Sequence, residues 1–206
     1  MGDVLLVSSG WIHPPYRGRG HLKELLEREC GGAVIEVETL EEALQQPLAR
    51  FVAMVLYYHH PANELNQSQL VRFRGYVDGG GGVLALHSAT ASYKPSLPYF
   101  EVLGGRFTGH GPVSSLEIRP AANADGLFAG IAPFTVHDEL YLHQLEPGLQ
   151  VHFESELEGA AIPVVWTRTV GKGRVCYSCP GHRSASMAHP SVQEIVTRGL
   201  RWVSGS

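Results

Sequence analysis

Apolar runs and amphipathic stretches alternate through the first half of this chain. Val4-Leu5-Leu6-Val7 lies within a strand predicted from Asp3 to Ser8, followed by a glycine-punctuated loop through Gly10, Pro14, Pro15, Gly18 and Gly20. A first helix is predicted to begin near His21, where Leu22, Leu25 and Leu26 supply an i, i+3, i+4 stripe, and to end at Gly31-Gly32. Ala33 to Glu38 reads as a second strand. Thr39 and Glu42 have capping-box spacing for a short helix that stops by Pro47, and Phe51 to Tyr57 is a continuous apolar third strand. Asn66 caps a helix that buries Leu70, Phe73 and Val77; Gly79 to Gly82 break it before a fourth strand, Val83 to Leu86.

This β-α-β-α-β-α-β order predicts an α/β fold: a parallel sheet with helices on both faces, joined by right-handed crossovers. After Ala89 the pattern changes to short stretches punctuated by Gly104-Gly105, Gly109, Gly111-Pro112 and Pro120, with Val113 to Ile118 alternating like a strand. The middle of the chain is thus expected to be a β-rich insertion or sheet extension. Pro163 to Thr169, the turn Val170 to Gly173, and Arg174 to Ser178 form a hairpin pattern. A last helix, Ser191 to Val203, presents Val192, Ile195, Val196, Leu200 and Val203 to the sheet.

With 206 residues and no repeat or linker, a single domain spanning residues 1–206 is expected. A net charge of -4 leaves no basic footprint for nucleic acid, and no segment approaches the length of a membrane span. Neither nucleic acid nor membrane is therefore an expected partner. Three cysteines do not make a disulfide framework, and Met1-Gly2-Asp3 leads into the first strand without a basic leader, so a cytoplasmic location is expected. Cys176 and Cys179 have C-x-x-C spacing but sit in a strand, where residues three apart face opposite ways; they read as a buried, inert pair.

The candidate chemistry collects where parallel strands end. His87 occupies the strand-to-turn junction Gly79 to Ala89, where a nucleophile elbow would carry Ser or Cys. An imidazole there points to proton transfer or metal ligation. Other histidines follow other strands: His13 and His21 the first, His59 and His60 the third, and His182 the last hairpin strand. The loop Gly104 to His110 presents a further imidazole. In Val136 to His143, an extended backbone would place His137, Glu139, Tyr141 and His143 on one face, with Asp138 pointing away.

Taken together, the Gly-rich strand ending in His87-Ser88-Ala89, Gly104-Gly105-Arg106-Phe107-Thr108-Gly109-His110, Asp138-Glu139-Leu140-Tyr141, Pro163-Val164-Val165-Trp166-Thr167, and Gly171 to Tyr177 followed by Gly181-His182 resemble the ThuA-like (trehalose utilisation) family. The resemblance runs from Val4 to Trp202. It implies a flavodoxin-like sheet similar to class I glutamine amidotransferases, with histidine in place of their cysteine. By this match His87 is the elbow residue, His110 the loop histidine, Glu139 the acid and His182 the late Gly-His. His21 looks like the family's early histidine, with His13 competing in the same loop. Asn123-Ala124-Asp125-Gly126-Leu127 departs from the family's usual His-Pro-Ile before a Gly-Leu segment.

The resemblance implies sugar metabolism, with an oxidised (3-keto) glycoside as the most concrete small-molecule substrate. His87, Glu139 and His182 are then the expected catalytic residues, with Glu139 or His87 as base; His21, His110, Tyr141 and Trp11 are the expected substrate contacts. Neutral imidazoles beside a carboxylate suit zinc, iron or manganese, with His87, His110 and His182 as candidate ligands. A cysteine-dependent amidotransferase is disfavoured because no cysteine occupies the elbow. The competing class is a noncatalytic carbohydrate-binding or regulatory module. A homo-oligomer is compatible with a domain of this size, but no segment marks an interface.

Overall fold

The computed structural model describes residues 2–9 and 15–205. Strands β1 (Asp3–Ser9), β2 (Val34–Val37), β3 (Phe51–Tyr58), β4 (Gly82–Leu86) and β11 (Gly173–Ser178) form the parallel half of a nine-stranded sheet. The central strands are apolar on both faces because helices cover both sides. Val4 to Val7, Ala53 to Tyr58 and Val83 to Leu86 are all fully buried. The register runs Val7 to Leu56, Leu56 to Ala85 and Ala85 to Tyr177, so the carboxyl ends of β1, β3, β4 and β11 finish level. The segments that leave those ends therefore meet above one edge.

Beyond β11 the sheet continues antiparallel through β10 (Ala160–Val170), β9 (Gln150–Leu157), β6 (Ser114–Pro120) and β7 (Phe134–Asp138). This is the expected β-rich extension. A separate pair, β5 (Gly105–His110) and β8 (Tyr141–Leu145), folds antiparallel over the sheet edge and pairs His110 with Tyr141.

The helices are α1 (Pro15–Glu29), α2 (Leu40–Ala43), α3 (Gln67–Asp78), α4 (Leu97–Leu103), α5 (Ser184–Met187) and α6 (Pro190–Val203). Asn66 and Gln69 make a reciprocal capping box on α3, which buries Phe73 and Val77. Thr39 caps α2 by accepting from the Glu42 amide, whereas Glu42 reaches the amide of Glu38 rather than that of the cap. On α6 the five apolar positions named from the sequence are all buried.

Helix α1 differs from the sequence expectation: it starts at Pro15, so Gly18 and Gly20 are helical rather than part of a loop. The reason is tertiary. A Cβ at Gly18 would collide with the Tyr57 hydroxyl, so the glycine lets α1 lie close to β3. Helix α4, with Pro98 in its first turn, and strand β9 are further elements the hydrophobic pattern does not announce. In β9, His152 and Phe153 are adjacent and both buried, so the polar/apolar alternation is lost.

Candidate functional site

His87 follows β4 directly and opens a short 3-10 turn, His87–Ala91, with φ of +45°. A left-handed backbone at a residue with a Cβ costs roughly 1–2 kcal/mol and is the strained geometry of a nucleophile elbow. The surroundings hold it there. The Tyr177 hydroxyl donates to the His87 carbonyl at 3.1 Å, and the Thr90 hydroxyl donates to it at 3.2 Å. Nδ1 of His87 lies 2.8 Å from the Cys179 carbonyl. A carbonyl only accepts, so Nδ1 carries the proton and Nε2 is turned toward Glu139 Oε2, 3.6 Å away.

Glu139 sits in the break between β7 and β8 and is only 6% exposed. Its Oε2 is 3.1 Å from His182 Nδ1, and its Oε1 is 3.7 Å from His110 Nδ1. Three imidazoles thus converge on one buried carboxylate. The Tyr141 ring packs on His87 with centroids 4.2 Å apart and stacks on His110 at 5.6 Å, flooring the group. Burial works to raise the Glu139 pKa, but the interactions with His87, His182 and His110 outweigh it and hold the carboxyl below its ordinary value. Burial dominates at His182 and depresses its pKa, against the opposing pull of Glu139.

Five of the residues named from the sequence, His87, His110, Glu139, Tyr141 and His182, therefore share one site. His21 lies within α1, half-buried and well past its first turn, and among the described residues no contact joins it to Glu139. Trp11 and His13 lie outside the described residues. His60 bonds Ser9 and packs on Tyr58, away from the cluster.

The expected shared face of His137, Glu139, Tyr141 and His143 does not form, because the strand breaks at Glu139-Leu140. His137 is exposed, while Asp138, expected to point away, is fully buried. The Asp138 carboxylate accepts the backbone N–H groups of Glu139 at 2.8 Å, Gly181 at 3.0 Å and His182 at 3.2 Å. Asp138 continues the buried face of β7 set by Phe134 and Val136, with Thr135 and His137 exposed. His143 lies behind the site, bonded at 3.0 Å to the Thr90 hydroxyl that also touches the His87 carbonyl.

His87, Glu139 and His182 each offer one ligand atom, all within 4.8 Å of one another. The grouping differs from the sequence-based trio: Glu139 stands where His110 was expected. Two ligand atoms on a tetrahedral first-row divalent ion, at about 2.0–2.2 Å each, lie roughly 3.3–3.6 Å apart. The 3.6 Å separation of His87 Nε2 from Glu139 Oε2 falls in that range, and the 3.1 Å separation of His182 Nδ1 lies just below it. Thiol chemistry does not fit. Burial pushes the thiols of Cys176 and Cys179 up to about 12, and Cys30 lies just past the end of α1.

The family model for ThuA, described as trehalose utilisation, matches residues 3–203. The chain belongs to the ThuA family. No curated protein is similar enough in sequence to match it. Among solved structures, a ThuA-like protein from Parabacteroides merdae superposes with a TM-score of 0.82 at 17% identity, over 98% of this chain and 90% of that one. A protein from Salmonella typhimurium LT2, named as cytoplasmic, gives 0.73 at 17% identity over 98% and 99%. A β-galactosidase from Rahnella sp. R3 contains the same fold in part: TM-score 0.67, 13% identity, 97% of this chain but 31% of that one. This ThuA-family chain thus has the amidotransferase-like parallel sheet with an antiparallel extension. No helix among its described residues is long and apolar enough to cross a membrane.

Proposed function

We propose that this ThuA-family protein is a sugar-metabolism enzyme that opens the glycosidic bond of an oxidised (3-keto) glycoside. The observation that carries the reading is the buried Glu139 carboxylate met by three imidazoles at 3.1, 3.6 and 3.7 Å beside a strained elbow. His87, Glu139 and His182 are the residues that would hold a divalent ion such as zinc, iron or manganese. Such an ion supplies Lewis-acid polarisation of the substrate ketone.

The remaining chemistry belongs to the chain's own groups. A ketone at C3 acidifies the C2–H bond, and a base that removes this proton leaves an enolate, which expels the C1 oxygen substituent. The departing oxygen takes up a proton, and water then adds across the resulting C1–C2 double bond. Glu139 and His87 are both buried and face one another within the cluster, so we place the base elsewhere. His110 is better placed: its side chain is 33% exposed, and its Nδ1 proton is committed to the Gly111 carbonyl at 2.7 Å. That leaves Nε2 to accept the proton, with Glu139 Oε1 beside the ring to stabilise the imidazolium.

Elemental analysis of purified protein, combined with product release from keto-glycosides by wild type, Glu139→Gln and His110→Ala, tests this. About one equivalent of a first-row divalent metal is expected, together with turnover that falls 10²- to 10⁴-fold in the variants. A metal-free protein that binds sugar and releases no product would instead be a noncatalytic carbohydrate module.

A further inference from the structure

The two halves of the site come from parts of the sheet that are not neighbours. His182 follows β11 in the parallel half, whereas Glu139 follows β7; β10, β9 and β6 lie between them in the strand order. Strand pairing alone does not set the 3.1 Å approach of His182 Nδ1 to Glu139 Oε2. We propose that Asp138 and Tyr57 are positioning residues that grip the Gly181-His182 backbone from opposite sides and so fix the His182 ring against Glu139. The inference rests on reading Glu139 and His182 as one site.

Asp138 Oδ1 accepts from the amides of Glu139 and His182, and Oδ2 accepts from the amide of Gly181. One carboxylate therefore ties the residue that carries the acid to the residue that carries the imidazole. On the other side, the Tyr57 hydroxyl, at the end of β3, donates to the Gly181 carbonyl at 2.6 Å. The Gly181 peptide is thus held through its N–H by Asp138 and through its C=O by Tyr57. Both gripping side chains are fully buried, and among the described residues neither Lys nor Arg pairs with Asp138.

A buried carboxylate satisfied by amides rather than by a cation is costly to keep, since desolvation penalises the charge and the amides return only part of it. It is also directional, because each oxygen is committed to named N–H groups. Gly181 completes the device. A Cβ there would come 3.0 Å from the His87 Cβ, so any larger residue would press on the elbow side chain and push the two apart by a few tenths of an ångström.

The test is NMR on the whole protein without sugar or added metal, using wild type, Asp138→Asn, Tyr57→Phe and Ile195→Ala. Ile195 lies on α6, outside the clamp, and controls for general loss of stability. Two quantities are read: exchange of the Gly181 and His182 amides, and the ring-nitrogen shifts of His182 at pH 8, which report its tautomer. In wild type the Glu139 contact favours the Nδ1–H tautomer. Asp138→Asn places an amide N–H group against a backbone N–H, and Tyr57→Phe removes only a hydroxyl, so the latter carries the test if the former does not fold. Loss of one grip is expected to speed exchange of the Gly181 and His182 amides at least 10-fold relative to amides of the parallel core strands and to shift the His182 ring toward mixed tautomers, whereas the control speeds both sets of amides together and keeps the wild-type tautomer. Wild-type ring shifts and amide protection in a folded Tyr57→Phe or Asp138→Asn protein would overturn the clamp. Because neither readout uses substrate or metal, failure of the glycoside assay leaves this result standing, and the reverse also holds.

Discussion

Acid should destabilise this protein through His143, an imidazole that takes no direct part in the site. Its ring packs edge-on to Trp166 and Tyr177, and burial, helped by the charge of His87, pushes its pKa down to about 3 from an ordinary 6.5. The unfolded chain takes up a proton at this residue below about pH 6.5, while the folded protein refuses it until about pH 3. Between those values the unfolded state binds more protons, so stability falls as pH falls. The expected contribution is about 1.4 kcal/mol per pH unit at its steepest, or roughly 2 kcal/mol between pH 6 and pH 4.5. The assay is urea unfolding across that range for wild type and His143→Gln. Glutamine keeps a polar partner for the Thr90 hydroxyl, 3.0 Å from His143 Nε2, but does not titrate. Because Glu139 and His182 titrate in both proteins, the difference between the two curves isolates His143. The variant should start about 1 kcal/mol less stable at pH 7 from the weakened bond, and the gap should then close or reverse toward pH 4.5. Parallel curves for the two proteins would refute the argument.

Three further outcomes follow from packing and burial. Gly18→Ala should cost about 1–3 kcal/mol despite alanine's better helix propensity, because the new methyl group meets the Tyr57 hydroxyl and approaches Met187 Cβ to 3.3 Å; thermal unfolding measures it, and an unchanged or higher Tm contradicts it. Ile195→Ala, at a fully buried position on α6, should lose about 2–4 kcal/mol in urea unfolding. With an aromatic disulfide reagent, Cys30 should react in the native protein, whereas Cys176 and Cys179, buried and with pKa values near 12, should react only on unfolding; three fast thiols would show that the core opens.

Much of the parallel sheet is legible in the chain because its central strands are buried on both faces and therefore almost uninterruptedly apolar, as in Phe51 to Tyr58. The faces of α3 and α6 are legible for the same reason, since a helix against a sheet must show a 3.6-residue apolar stripe. His87 stands out because a polar ring closes an apolar run. The start of α1 is obscured because Gly18 serves a contact with Tyr57, more than thirty residues away in sequence, rather than a local turn. Asp138 is misread because the shared face was carried back from Glu139 to His137 across the break, whereas within β7 Asp138 alternates with Phe134 and Val136 on the buried side.

The sequence by itself determined the α/β class, the family, and the handful of residues that carry chemistry, because apolar periodicity and residue type are local properties of the chain. Which of those residues meet was decided only by tertiary structure. Level strand ends bring His87 and His182 to one edge, the crossing of the β-extension delivers Glu139 to them, and Asp138 turns inward to tie the two together. Those relations depend on strand order and on hydrogen bonds between residues more than forty positions apart, which periodicity along the chain does not encode.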